Sequence, residues 1–221
     1  MPIERTLEPE PDAPVEEART YHNMDHSVVN RQFVDDLLKG SVGPRVIDLG
    51  CGPAGIAIEL CGRESDIEMI AVDAEVEMLE IAKMQIDFAG LLGRITLEHA
   101  RVGEMDFFED ETADTVISNS LIHHLDNAEI GLRASVRLTK KGGRVFIRDL
   151  ARPDSVQEVE SLVDQYTEDE SENAKQLFRQ SLHAAFTIAE IREIARGLGI
   201  PNDDVQMTSD RHWTIDWTRV N

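Results

Sequence analysis

Two stretches of this chain carry residues that can do chemistry. The first is RVIDLGCGPAGIAIEL, Arg45 to Leu60, where Gly50, Gly52 and Gly55 fall within six residues between an apolar run and an amphipathic one. A strand-to-helix turn bare of side chains lets a ligand approach the backbone, and the helix after it presents free N–H groups at that point. Gly-x-Gly-x-x-Gly is also the dinucleotide fingerprint, although glycine at such a turn can serve turn geometry alone. A second acid adds to the ligand reading. IEMIAVD ends in Asp73, about 20 residues beyond the glycines, where a carboxylate can accept both hydroxyl protons of a ribose. Taken alone, Asp73 would equally suit the N-cap of the helix that begins EVEML.

The second stretch is DTVISNSLIHHL, which places His123 and His124 just past an apolar strand. An imidazole there could act as a general base on an acceptor that loses a proton. His123 is the expected base, and His124, nearer the next helix, is expected beside the substrate. Tyr21, His22 and His26 at the entrance of a leading helix are further candidates for contact with the substrate. So is Asp149, at the end of RVFIRDL, which could instead cap the segment that follows. Each has a plain alternative: histidines satisfied by carbonyls, polar residues capping a helix. His22, Asp25 and His26 have a spacing that could hold a metal, but no second acidic cluster accompanies them, and two cysteines cannot build a zinc site unaided. No metal is expected.

These residues need a scaffold, and the pattern around them supplies one. Short apolar runs alternate with amphipathic helices: RVIDL and IAIELCGR; IEMIAVD and EVEMLEIAKMQIDFAG; RITLEH; TVISNS and the helix after Asp126; RVFIRDL. That alternation predicts a parallel sheet covered on both faces, an α/β doubly wound fold. Before it, DHSVVNRQFVDDLLKG reads as a helix closing on Gly40 as C-cap. From Pro153 to Phe186 the chain reads as two helices around an acidic break, longer than a plain crossover and so an inserted lid. TIAEIREIARGLGI gives one more helix with Thr187 and Glu190 in capping-box positions, and DVQMTSDRHWTIDWTRV gives a terminal hairpin turning at Ser209 and Asp210.

Composition bounds the rest. A 221-residue chain with 41% hydrophobic residues can bury one full core. Residues 1–20, rich in proline and acid, predict a disordered acidic tail, with one domain over 21–221. The start lacks the apolar core of a signal peptide and no run approaches the roughly 18 residues of a membrane span. With Cys51 and Cys61 read as reduced thiols, a cytoplasmic protein is expected. A formal net charge of −21 argues against nucleic acid and anionic membranes as partners.

In order, VIDLGCGPAG, AVDAEVEML, DTVISNSLIHHL and KKGGRVFIRDL resemble a class I S-adenosylmethionine-dependent methyltransferase, over roughly Tyr21 to the C-terminus. The nearest look is to the small-molecule branch of the ubiquinone/menaquinone-biosynthesis type. A nicotinamide enzyme would share only the first two stretches. The resemblance implies a Rossmann-like seven-stranded sheet with an antiparallel last strand and a helical lid, S-adenosylmethionine as cofactor, and a small-molecule acceptor. It also implies roles: Asp48 near the methionine amino group; Gly50, Cys51 and Gly52 beside the methionine carboxylate and ribose; Asp73 on the ribose; Ala74 and Met78 near the adenine; Asn119 and Ser120 facing the methionine part. One departure stands out, since Ala100-Arg101-Val102-Gly103 replaces the family's Gly-Asp-Ala and Arg101 cannot accept a bond from the adenine amino group. Backbone groups around Arg101 and Val102, or Glu104 after a local shift, are the expected substitutes. Residues 21–40 and 153–186 would form the lid, with Leu162, Tyr166, Leu177, Phe178 and Phe186 against a partly apolar acceptor and Tyr166 touching it. The rivals are a nicotinamide-dependent oxidoreductase and a non-catalytic S-adenosylmethionine-binding module.

Overall fold

A computed structural model describes residues 3–9 and 27–220. Its centre is one seven-stranded sheet in the order β3-β2-β1-β4-β5-β7-β6. The strands are β1 (Arg45–Leu49), β2 (Glu68–Asp73), β3 (Ile95–His99), β4 (Ala113–Asn119), β5 (Thr139–Leu150), β6 (Val205–Met207) and β7 (His212–Thr218). Strands β1 to β5 pair in parallel, and β7 runs antiparallel to both β5 and β6. Strand order reverses between β1 and β4, so their carboxyl ends open the crevice in which α/β sheets of this kind bind ligands.

The helices cover the sheet as the apolar periodicity requires. They are α1 (Ser27–Leu37), α2 (Gly55–Arg63), α3 (Val76–Phe88), α4 (Ala128–Leu138), α5 (Val156–Tyr166), α6 (Glu172–Ala184) and α7 (Ile188–Gly197). The capping box expected on α7 is present: Thr187 Oγ1 accepts from Glu190 N while the Glu190 carboxylate accepts from Thr187 N. The 153–186 segment forms α5 and α6, each started by a serine cap, Ser155 and Ser171. The hairpin β6–β7 turns where Ser209 Oγ accepts from the N–H groups of Arg211 and His212.

Three expectations change. Helix α1 is part of the core, because Phe33, Val34 and Leu37 have no exposed surface and pack with Ala57, Leu60 and Phe146. Gly40 is not in the left-handed region, and a Cβ there would crowd the Arg144 guanidinium, at 2.6 Å. Arg144 donates to Leu37 O and pairs with Asp216 Oδ1 at 2.6 Å, and Arg148 reaches Asp36 Oδ2 at 2.7 Å, so two strand-borne arginines seat α1 on β5 and β7. Finally, residues 3–9 are not a loose tail: Thr6 N donates to His183 O and Ile3 packs with Leu150, Leu162 and Leu182. The rest of the expected tail lies outside the described residues.

Candidate active site at the carboxyl edge of the sheet

The glycine turn sits where β1 and β2 end. Gly50 N and Cys51 N both donate to Val72 O, and Gly52 N donates to Asp73 Oδ2 at 2.8 Å. Gly50 and Gly52 have φ of 71° and 51°, which a side chain resists. A Cβ on Gly50 would also strike Leu121 at 2.8 Å, so the turn is bare in part to admit the loop after β4. A Cβ on Gly55 would meet Asn30 Nδ2 at 2.4 Å, which makes the third glycine a packing point between α1 and α2. The glycines thus have structural duties of their own, beyond the ligand approach expected from the sequence.

Beside this turn lies an acid with nothing to hold. Asp48 is 2% exposed and its Oδ2 has no hydrogen-bond partner among the described residues. Burial, with the Asp73 carboxylate nearby adding repulsion, pushes its carboxyl up to about 7. An unpartnered buried carboxylate is costly unless a donor or cation comes to it. Asp73 differs: it accepts from Gly52 N and, through Oδ1, from Glu75 N, so it anchors both the glycine turn and the short turn that leads into α3, while remaining partly exposed. Ala74 and Met78 are half-buried beside it, and Ala74 O is held by His99 Nε2 at 3.0 Å. Val102 is buried in the core among Ile47, Leu49 and Val72, and Arg101 is exposed, so this pair can offer a ligand backbone groups but no side-chain acceptor. Asn119 and Ser120 end β4 half-buried, with Ser120 at φ 57° and its N–H donating to Arg148 O.

The other half of the site is built around Asp149. Its Oδ1 accepts from His123 Nδ1 at 2.6 Å and from Leu150 N at 2.6 Å, and its Oδ2 accepts from Ile122 N at 2.5 Å. Burial alone would raise this carboxyl, but the His123 partner and the N–H donors hold it below its ordinary value. Asp149 therefore positions His123 rather than capping the lid. Because a carboxylate can only accept, His123 carries its proton on Nδ1 and turns Nε2 outward.

What Nε2 faces is a residue the sequence reading missed. Glu8 Oε1 lies 3.8 Å from His123 Nε2, and Glu8 Oε2 pairs with His124 Nδ1 at 2.5 Å. Ser181 Oγ donates to Glu8 Oε1 at 2.6 Å. Arg5 locks the segment down: its guanidinium donates to the carbonyls of His123, Leu125, Asp126 and Ala184 and stacks on Phe186 at 3.8 Å. Burial would raise the Glu8 carboxyl, but its hydrogen bond and charge pairing with His124 pull it down to about 2. Desolvation lowers the His124 imidazole, yet Glu8 overrides this and leaves it above its ordinary value. Seven residues hold no periodic signal, and a proline-rich acidic composition pointed the other way.

The remaining candidates divide. Tyr21, His22 and His26 lie outside the described residues. Tyr166 is drawn to the β6–β7 turn, with its hydroxyl on Asp210 Oδ2 at 2.6 Å and Arg211 over its ring at 3.3 Å, and no described contact joins it to the histidines. Both cysteines are free and buried.

Fold and site together define a class: a Rossmann-like sheet extended by an antiparallel hairpin, with a glycine turn and two acids at its carboxyl edge. A family model described as a methyltransferase domain matches residues 41–210, and the chain belongs to that family. The ubiquinone/menaquinone biosynthesis C-methyltransferase of Geotalea daltonii is 27% identical over 124 residues, 56% of this chain and 52% of that protein. The demethylmenaquinone methyltransferase of Porphyromonas gingivalis is 27% identical over 49% of this chain and 44% of its own length. The chain thus spans about half the length of these curated relatives. Among solved structures, a SAM-dependent methyltransferase from Aquifex aeolicus superposes with a TM-score of 0.66 at 16% identity, covering 91% of this chain and 96% of its own. The phosphoethanolamine N-methyltransferase 2 of Haemonchus contortus, in complex with phosphomonomethylethanolamine and S-adenosylhomocysteine, gives 0.62 at 22% identity, covering 81% of this chain and 38% of its own. Membership of a methyltransferase family sets aside the nicotinamide oxidoreductase reading.

Proposed function

We propose that this protein transfers a methyl group from S-adenosylmethionine to a small-molecule acceptor. The observation that carries the reading is Asp48: a buried carboxylate with a free oxygen beside a glycine turn needs a cationic donor, and the cofactor's amino group is one. When bound, the cofactor supplies a methyl already activated on a sulfonium, so the protein has mainly to position the acceptor and exclude water. Asp48 then holds the ammonium, Asp73 takes ribose hydroxyls with its unused lone pairs, and backbone at Arg101 and Val102 meets the adenine. Asn119 and Ser120, at the end of β4, face the methionine part. For an acceptor that loses a proton, Nε2 of His123 is the atom we assign to receive it, with Asp149 holding the ring.

The acceptor is taken to be small and partly apolar, in keeping with the acidic surface and with Phe178 and Phe186 near residues 3–9. No described helix is long and apolar enough to cross a membrane, and we place the protein in the cytoplasm on its two free thiols. Calorimetry with S-adenosylhomocysteine tests the reading. Asp73→Ala should lose about tenfold to a hundredfold in affinity. Absence of any binding to the unaltered protein, with turnover of no acceptor in a product screen for S-adenosylhomocysteine, would end it.

A further inference from the structure

Glu8, His123 and His124 come from two distant parts of the chain and meet with one ligand atom each inside a 4.8 Å span. We propose that these three residues bind a divalent transition-metal ion of the zinc type. Two imidazoles and one carboxylate, with a fourth position left open, are the donor set of catalytic zinc sites.

Three observations support a built site over a chance cluster. First, Asp149 holds His123 Nδ1–H, which fixes the tautomer and aims the Nε2 lone pair at Glu8, the arrangement by which an outer carboxylate orients a ligating histidine. Second, the carboxylate ligand has its own support, because Ser181 Oγ donates to Glu8 Oε1 and Arg5 pins the segment through four carbonyls. Third, the spacing suits an ion. Donors on a tetrahedral ion at about 2.0–2.2 Å sit about 3.3–3.6 Å apart. Glu8 turns a different oxygen to each ring, 3.8 Å from His123 Nε2 and 2.5 Å from His124 Nδ1, and the three ligand atoms already lie within 4.8 Å of one another, so shifts of about an ångström bring them to that spacing. The ion would tie residues 3–9 to the turn after β4. It would also compete with an acceptor's proton for the same His123 lone pair, so loaded and metal-free protein differ in that step. The site stands whether or not the methyl-transfer reading holds, since none of its three residues belongs to the cofactor half.

Full-length, chelator-stripped protein is titrated with Zn²⁺ against a chromophoric chelator, and separately with Co²⁺ as a spectroscopic probe, in excess Mg²⁺ to occupy oxygen-only surface sites. One ion per chain is expected, with the intense visible bands of four-coordinate cobalt. Glu8→Gln and His124→Asn should each weaken it at least about tenfold, and Ser181→Ala or Asp149→Asn by about 10–100-fold at most, as loss of an outer partner does. His212→Asn, in the hairpin, should leave affinity unchanged, and circular dichroism shows which variants are folded. Hydrogen exchange at residues 3–9 should slow when Zn²⁺ is added. No stoichiometric binding, equal affinity in Glu8→Gln and His124→Asn, or binding that leaves exchange at residues 3–9 unaltered would each overturn the proposal, whereas S-adenosylhomocysteine affinity speaks only to the methyl-transfer reading.

Discussion

The two halves of the carboxyl edge are opposites in how their acids are treated. At the end of β1, Asp48 is buried with an oxygen facing no partner; at the end of β5, Asp149 is buried just as deeply with both oxygens engaged. Both side chains are at most 2% exposed, so burial does not distinguish them. Their carboxyls nevertheless move in opposite directions, Asp48 up to about 7 and Asp149 downward. What differs is whether the fold itself provides donors. For the first acid no described residue supplies a donor to Oδ2, and for the second both oxygens are supplied by the fold. A buried acid is therefore read by its partners, and not by its depth.

The sharpest way to break this contrast is to remove each acid in turn. Asp149→Ala strands the N–H groups of Ile122 and Leu150 and the His123 ring in a closed interior, and should cost about 3–5 kcal/mol by chemical denaturation. Asp149→Asn should recover only part of that, because an amide keeps one acceptor and adds donors where donors already point. A loss below about 1 kcal/mol would mean that the histidine half is not held by Asp149 at all.

Asp48→Asn should do the reverse. A carboxyl raised to about 7 in the folded state, against an ordinary value of 3.8, binds its proton more tightly folded than unfolded. The contribution of this one group to stability is thus greatest at low pH and declines by about 1.4 kcal/mol per unit as pH rises from about 4 to 7. The amide removes that decline, so the variant should match or exceed the parent above pH 7 while binding S-adenosylhomocysteine poorly. In the parent, cofactor affinity should fall as pH drops below about 7, approaching tenfold per unit, since the ammonium needs the ionised acid. Affinity flat from pH 5 to 8 in thermal-shift titrations would remove Asp48 from the cofactor's amino group.

The same contrast explains what could be read from the sequence. The cofactor half is contiguous: strand, turn and helix follow one another from Arg45 to Leu60, and Asp73 closes the next strand, so period, glycine spacing and a single acid define it. The alternation of strands and helices was legible for the same reason, with RVIDL matching β1 residue for residue. The histidine half is assembled from residues 5, 8, 123, 124, 149 and 181, and no local pattern links them. The sequence marked the histidines and Asp149 as chemical, but which groups they would meet depended on the docking of seven residues whose composition suggested a tail. The arginines that seat α1 were hidden likewise, since Arg144 and Arg148 act across more than 60 positions of chain.

The smallest effect concerns the latch between those docked residues and the turn after β4. Glu8 sits at about 2 in the folded state and His124 above its ordinary 6.5 because each stabilises the other's charge. For Glu8 the contribution is present above its ordinary 4.5 and is lost as pH falls toward 2; for His124 it is present below 6.5 and is lost as pH rises through the higher folded value. The pair's contribution to stability is therefore complete only between about pH 4.5 and 6.5 in metal-free protein. His124 is half-exposed, so the pair should contribute no more than about 1 kcal/mol. Comparing the parent with Glu8→Gln across pH, the difference in stability should peak in that window and shrink on both sides. In hydrogen exchange, residues 3–9 should open more readily at pH 8 than at pH 6, once the intrinsic rate change is removed. A difference that is constant with pH would show that Arg5 and its carbonyls, not the Glu8–His124 pair, hold the segment against the site.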